Sequence, residues 1–204
     1  MPSKTEFHMK TSTVLIVPGL RDQVADHWQT LLAKRLPEAH TVPPMGRENL
    51  DCSLRVAAIE RAVAEIDGPL VLVAHSGGCV MLAHWALTTA HAARIKGALL
   101  ACPPDFERPM PDGYPTLASI QASGWLPVPR QRLPFPSLVA TSQNDPLGEL
   151  SRVLELARAW GSDTIDLGHV GHLNPASGYG PWPMAEQLIT RLNATPNPSQ
   201  GTSR

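Results

Sequence analysis

The sequence predicts an α/β fold, a mostly parallel six-stranded sheet with helices on both faces. Three observations predict it. Short unbroken apolar runs, Thr13-Val14-Leu15-Ile16-Val17 and Leu70-Val71-Leu72-Val73-Ala74 above all, read as strands buried on both faces. Segments with apolar residues at helical spacing alternate with these runs. The 204 residues, 43% of them apolar and 17% charged, suit one domain that buries a real core.

Taken in order, the first strand stops at Pro18-Gly19, and Val24 to Arg35 follows as a helix with Val24, Trp28, Leu31 and Leu32 on its apolar stripe. A short second strand is expected around His40-Thr41-Val42. Ser53 is placed to cap the next helix, whose apolar positions are Val56, Ile59, Val63 and Ile66. Asp67-Gly68-Pro69 ends it. The third strand, Leu70 to Ala74, leads into a helix from Gly78 to about His91 that is apolar nearly all round and therefore buried. Strands at Ile95–Cys102, Ser137–Thr141 and Thr164–Leu167 and helices at Gly148–Trp160 and Pro183–Leu192 complete the pattern. Residues 13–192 form the expected domain, with flexible ends at 1–12 and 193–204.

The charge balance, 17 basic against 18 acidic residues, offers no electrostatic case for nucleic acid or an anionic membrane. No apolar run approaches the roughly 20 residues of a membrane helix. The polar N-terminus does not resemble a signal peptide. Cys52, Cys79 and Cys102 are odd in number and lack zinc spacing, which suits a reducing compartment. A soluble, cytoplasmic protein is expected. Nothing indicates a protein partner.

Residues 103–136 break the rhythm, holding nine of the 21 prolines together with Phe106, Tyr114 and Trp125. Proline removes donors and fixes φ, so long regular structure is unexpected there. A long segment leaving the end of the fourth strand is expected to act as a lid or pocket wall. With Trp125 it suggests a restricted, partly apolar pocket.

In a parallel sheet ligands bind beyond the carboxyl ends of the strands, so the chemistry belongs in the loops after Val17, Ala74, Cys102, Thr141 and Leu167. The strongest signal is Ala74-His75-Ser76-Gly77-Gly78, between a buried strand and an apolar helix. That is the setting of a nucleophile elbow, a sharp turn that lifts a serine hydroxyl above the sheet and demands small residues two positions either side. Ala74 stands where the first glycine is usual, and Gly78 keeps the second. The helix N-terminus is electropositive, so the Gly77 N–H can hold an oxyanion. Leu20, after the first strand, is the expected second donor, with Gly19 as the alternative.

A serine nucleophile needs a base, and the base needs an orienting acid. Asp145 lies just past the fifth strand and His172 beyond the sixth, in the order serine, acid, histidine. His169 is the rival base, and Asp105, Asp163 and Asp166 are rival acids. His169 and His172 lack a third ligand for a metal. Trp28, His75, His84 and Trp85 read as packing, with His75 pointing away from Ser76.

The chain resembles the small serine hydrolases related to retinoblastoma-binding protein nine, including the bacterial YdeN-like proteins. Val17-Pro18-Gly19-Leu20 with His27-Trp28 downstream, the elbow, Asn144-Asp145-Pro146 and the stretch from Gly171 to Pro183 carry the resemblance. It covers about 13–192. It implies a single-domain α/β-hydrolase with six strands rather than eight, a catalytic Ser76, Asp145 and His172, small ester or amide substrates, and no cofactor. The sequence departs at Pro43-Pro44-Met45-Gly46, where a tryptophan-containing segment is usual, and that stretch is expected near the pocket. The alternative is an interaction module on a hydrolase scaffold with an idle site.

Overall fold

A computed structural model describes residues 12–21, 24–46 and 48–194. Six strands form one sheet, β1 (Thr13–Val17), β2 (Ala39–Thr41), β3 (Leu70–His75), β4 (Ile95–Ala101), β5 (Ser137–Thr141) and β6 (Asp163–Asp166), in the order β2-β1-β3-β4-β5-β6. Every neighbouring pair is parallel. β1, β3 and β5 are buried along their whole length, as continuous apolar strands covered on both faces must be. The chain moves outward from β1 to β2, returns to β3, then moves outward the other way. The crevice at the ends of β1 and β3 is therefore the topological switch point where such sheets bind ligands.

The helices divide between the faces. α1 (Trp28–Arg35) and α6 (Met184–Ala194) cover one, against Val14, Ile16, Val71 and Val73. α2 (Cys52–Glu65), α3 (Gly77–Ala86) and α5 (Leu150–Trp160) cover the other, against Leu15, Val17, Leu72 and Ala74. The apolar α3 is buried as its composition requires, while α5 buries one stripe, Val153, Leu156, Ala157 and Trp160.

Several boundaries differ from the sequence reading. α1 starts at Trp28, not Val24, because the His27 ring caps it, Nδ1 accepting from the Gln29 N–H. α2 is capped by Asp51 rather than Ser53; Asp51 accepts from both the Leu54 N–H and the Ser53 hydroxyl. α3 ends at Ala86, five residues short of His91. There Thr88 turns its hydroxyl back to the Trp85 carbonyl and Thr89 donates to Glu60, the competition that makes such residues poor helix formers. Of the expected flexible ends, residues 1–11 and 195–204 lie outside the described residues. Ser12 donates to Asn193 (2.6 Å), and α6 continues to Ala194.

The proline-rich segment divides in two. Its first half, through Pro115, lies over the ends of the strands. Its second half forms α4 (Leu117–Ala122) and returns to the core. Trp125, expected at the pocket, is fully buried; its indole donates to the Leu50 carbonyl (2.7 Å) and its ring meets Phe106 edge-on. An indole supplies a large apolar surface and one donor, and the core satisfies both. No helix among the described residues is long and apolar enough to cross a membrane.

Candidate active site

β3 delivers Ser76 to the centre of the site. Its backbone sits at φ 56° and ψ −132°, a strained conformation for a residue with a side chain. Two features hold that turn. The Ser76 N–H donates to the Ala101 carbonyl of β4 (2.9 Å). Gly78 lets α3 press against the end of β1: a Cβ there would lie 2.6 Å from the Val17 carbonyl oxygen and 2.7 Å from that of Pro18. Only glycine fits. Cys102 (φ 48°) and Leu173 (φ 46°) are the other non-glycine residues at positive φ among the described residues. All three lie at the strand-end loops around the site, where strain is commonly stored.

Three side chains join in a line. The Ser76 hydroxyl is 2.8 Å from His172 Nε2, and His172 Nδ1 lies 2.8 and 3.0 Å from the two oxygens of Asp145. An ionised carboxylate only accepts, so Nδ1 carries the proton and Nε2 is left to accept from Ser76. The His172 and Asp145 side chains are nearly sealed from solvent, at 4% and 2% exposure. Asp145 Oδ1 also accepts from the Leu147 N–H (2.9 Å), which fixes the carboxylate.

The rival residues lie elsewhere. His169 is exposed. Asp166 is held by the Gln143 side chain and the Gly168 N–H, bonds that lower its pKa. Asp163 pairs with Arg191, and Asp105 is bound by Arg152. No group of three or more His, Cys, Asp or Glu among the described residues is arranged to hold a metal.

Gly77 opens α3, and the first N–H groups of a helix have no partner within it. The loop after β1 presses against this turn. A Cβ on Gly19 would lie 3.1 Å from Ser76 Cβ, and one on Gly77 would lie 2.8 Å from Leu20 Cγ. Gly19, Leu20 and Gly77 thus enclose the serine.

A cavity of about 440 Å³ opens on Ser76 and His172. Phe106, Met110 and Tyr114 of the proline-rich segment wall it with Leu20 and Leu147, and among the described residues no carboxylate lines it. Arg21 stacks on the Tyr114 ring at 4.5 Å, tying the loop after β1 to that wall. Residues 43–46, expected at the pocket, do not line it; Thr41 and Leu50 on either side do, and Met45 packs on the core instead.

Below the line lies an aromatic stack that composition alone does not show. The His75 ring sits 4.7 Å from His27 and 4.9 Å from His172, with the edge of Trp28 at 5.8 Å. Burial pushes the His75 pKa well below its usual value, helped by His172 and His27. Burial likewise pushes His27 down to about 4, with His172 adding to the effect and Asp26 opposing it. His75, expected to serve as packing around the elbow, is buried among these rings, and its Nε2 meets the His172 carbonyl at 2.9 Å. On the other side, Ser177 accepts the His172 N–H (3.0 Å), Asn174 holds Ser177, and Asn144 holds the Gly171 N–H (2.7 Å). The sequence reading included Asn144, Asn174 and Ser177 in the motifs that carry the resemblance but gave them no role. They are ordinary turn formers, and no local signal marks them as supports of His172.

Residues 14–191 match the model of a family described as serine hydrolase. Among solved structures, a YdeN-like hydrolase from Pectobacterium atrosepticum is 27% identical, with a TM-score of 0.76 over 90% of this chain and 91% of that one. The ydeN gene product of B. subtilis is 19% identical, with a TM-score of 0.70 over 91% of this chain and 100% of that one. A lipase-esterase related protein from Clostridium acetobutylicum is 9% identical, with a TM-score of 0.66 over 88% of this chain and 94% of that one. The last two show a shared fold. No curated protein matches at a significant level.

Proposed function

The chain belongs to the serine hydrolase family, and from that premise we propose that it cleaves small esters or amides through an acyl-enzyme on Ser76, with His172 as base and Asp145 as orienting acid. The observation that carries this reading is the unbroken hydrogen-bond line from the Ser76 hydroxyl through both nitrogens of His172 to Asp145. As Ser76 Oγ bonds to the substrate carbonyl carbon, its proton passes to His172 Nε2. Asp145 stays ionised and stabilises the imidazolium. The carbonyl oxygen becomes an oxyanion facing the Gly77 and Leu20 N–H groups. The bond to the leaving group then breaks, and that group takes the proton from Nε2. Water, deprotonated by the same nitrogen, releases the acid and restores the serine.

The cavity supports the substrate class. Its wall is apolar near the serine, and its volume suits a small molecule. No step calls for a cofactor.

The test is labelling by a fluorophosphonate, which phosphonylates an activated serine. The wild type is expected to label. Ser76→Ala abolishes labelling and His172→Ala nearly does. Undiminished labelling of Ser76→Ala overturns the assignment. A folded wild type that does not label favours the interaction module with an idle site.

A further inference from the structure

We propose that His75, the residue before the nucleophile, is a positioning residue that clamps the main chain of His172 and so sets the contact between His172 and Ser76. This inference rests on the roles assigned to Ser76 and His172 above.

Every polar group of His172 is engaged. Its ring nitrogens meet Ser76 and Asp145, its N–H donates to Ser177, and its carbonyl lies 2.9 Å from His75 Nε2. A carbonyl can only accept, so His75 Nε2 carries a proton and donates it. His75 and Ser76 are neighbours in the chain. Two adjacent residues of the elbow therefore grip one residue of the distant loop, Ser76 at its ring and His75 at its backbone. The closed circuit runs from the Ser76 hydroxyl through the His172 ring and carbonyl to the His75 ring and back through one peptide bond. A shift of the loop relative to β3 must break this circuit, so the 2.8 Å contact is set by the clamp as well as by Asp145.

The geometry of the strand explains why residue 75 can do this. Along β3, Val71 and Val73 face the side covered by α1 and α6, and His75 continues that alternation. Its ring arrives beneath the 171–173 turn, between His27 and His172 and against Trp28. At 4% exposure it is buried, at the edge of the cavity that opens on Ser76. Burial keeps the ring neutral, so its one N–H is committed to the carbonyl.

The test compares donor with no donor at similar volume. His75→Met fills the space without an N–H, His75→Gln offers an amide N–H at comparable reach, and His75→Asn offers one that stops short. The readout is the fluorophosphonate labelling rate against probe concentration, which separates the rate at saturation from apparent affinity, with unfolding followed by circular dichroism. His75→Met and His75→Asn are expected to lower the saturating rate roughly 10- to 100-fold with affinity changed less than about threefold. His75→Gln is expected to recover most of the rate, even where all three variants lose similar thermal stability. Wild-type rates in His75→Met, or equal losses in all three variants, overturn the clamp. If His75→Met fails to fold, the Gln and Asn pair decides by the same criterion. Labelling that survives Ser76→Ala instead defeats the underlying assignment of the nucleophile, so the two failures are distinguishable.

Discussion

Residues 74–78 and residues 168–178 meet across the contact between Ser76 and His172, yet they are held by different means. The first segment is held by its own backbone: a buried strand, a serine at φ 56°, and a glycine at which a Cβ would lie 2.6 and 2.7 Å from two carbonyl oxygens. The second has little regular structure, and side chains support it, Ser177 from within the segment and the others from elsewhere. Asn144 takes the Gly171 N–H, Ser177 the His172 N–H, Asp145 the ring and His75 the carbonyl. A nucleophile can thus be placed by local geometry, whereas a base that must accept, carry and return a proton is placed by a network. Damage to the backbone packing of the first segment should appear mainly as lost stability, and damage to the side-chain network around His172 mainly as lost turnover.

The sharpest probe of that division is Asp145→Asn. The amide keeps the shape but removes the charge that stabilises the imidazolium and selects the His172 tautomer. Ester turnover is expected to fall about 10⁴-fold with a nearly unchanged melting temperature; a loss under tenfold would mean that the loop orients His172 without Asp145. On the elbow side, Gly78→Ala drives a methyl into two backbone carbonyls that cannot rotate away. A stability loss of about 3 kcal/mol is expected in denaturant unfolding. An unperturbed midpoint would show that the elbow is looser than its contacts imply.

Stability should also depend on pH at both ends of the range. His27 and His75 stack beneath His172, and both have folded-state pKa values lowered by burial. The unfolded chain then binds more protons below about pH 6.5. Their contribution to stability is complete above that pH and is lost as pH falls towards 4 for His27 and lower for His75. Each adds a slope approaching about 1.4 kcal/mol per pH unit. Cys79 in α3, raised by burial, acts at the other end: its contribution is lost as pH rises above about 9. Melting temperatures across pH 4–10 check both limbs, and His27→Gln should flatten the acid one.

Smaller still, Ser177→Ala removes one hydroxyl that accepts the His172 N–H. It is expected to cost about 1 kcal/mol and a few-fold in turnover. His169→Ala, three residues from His172 but exposed, is expected to change neither turnover nor stability. Activity loss there would reopen the identity of the base.

The sequence alone determined what neighbouring residues decide. Five or six apolar residues in a row bury a strand wherever it lies, and small residues around Ser76 make a turn that larger ones would block. The order of the strand ends then followed, and with it the arc of loops where chemistry gathers. Element ends were less legible, because Asp51, Ser53, His27 and Thr88 offer competing local bonds that only packing resolves. The tertiary structure alone decided which residues touch. Asp145 reaches His172 across 27 positions, whereas Asp166, only six positions away, is turned to Gln143. His75 meets the His172 carbonyl across 97 positions. Trp125 left the expected pocket for the core, while Phe106 serves both. Composition and spacing act over a few residues. A hydrogen bond or cavity wall between distant segments exists only once the sheet order has brought their loops to one edge.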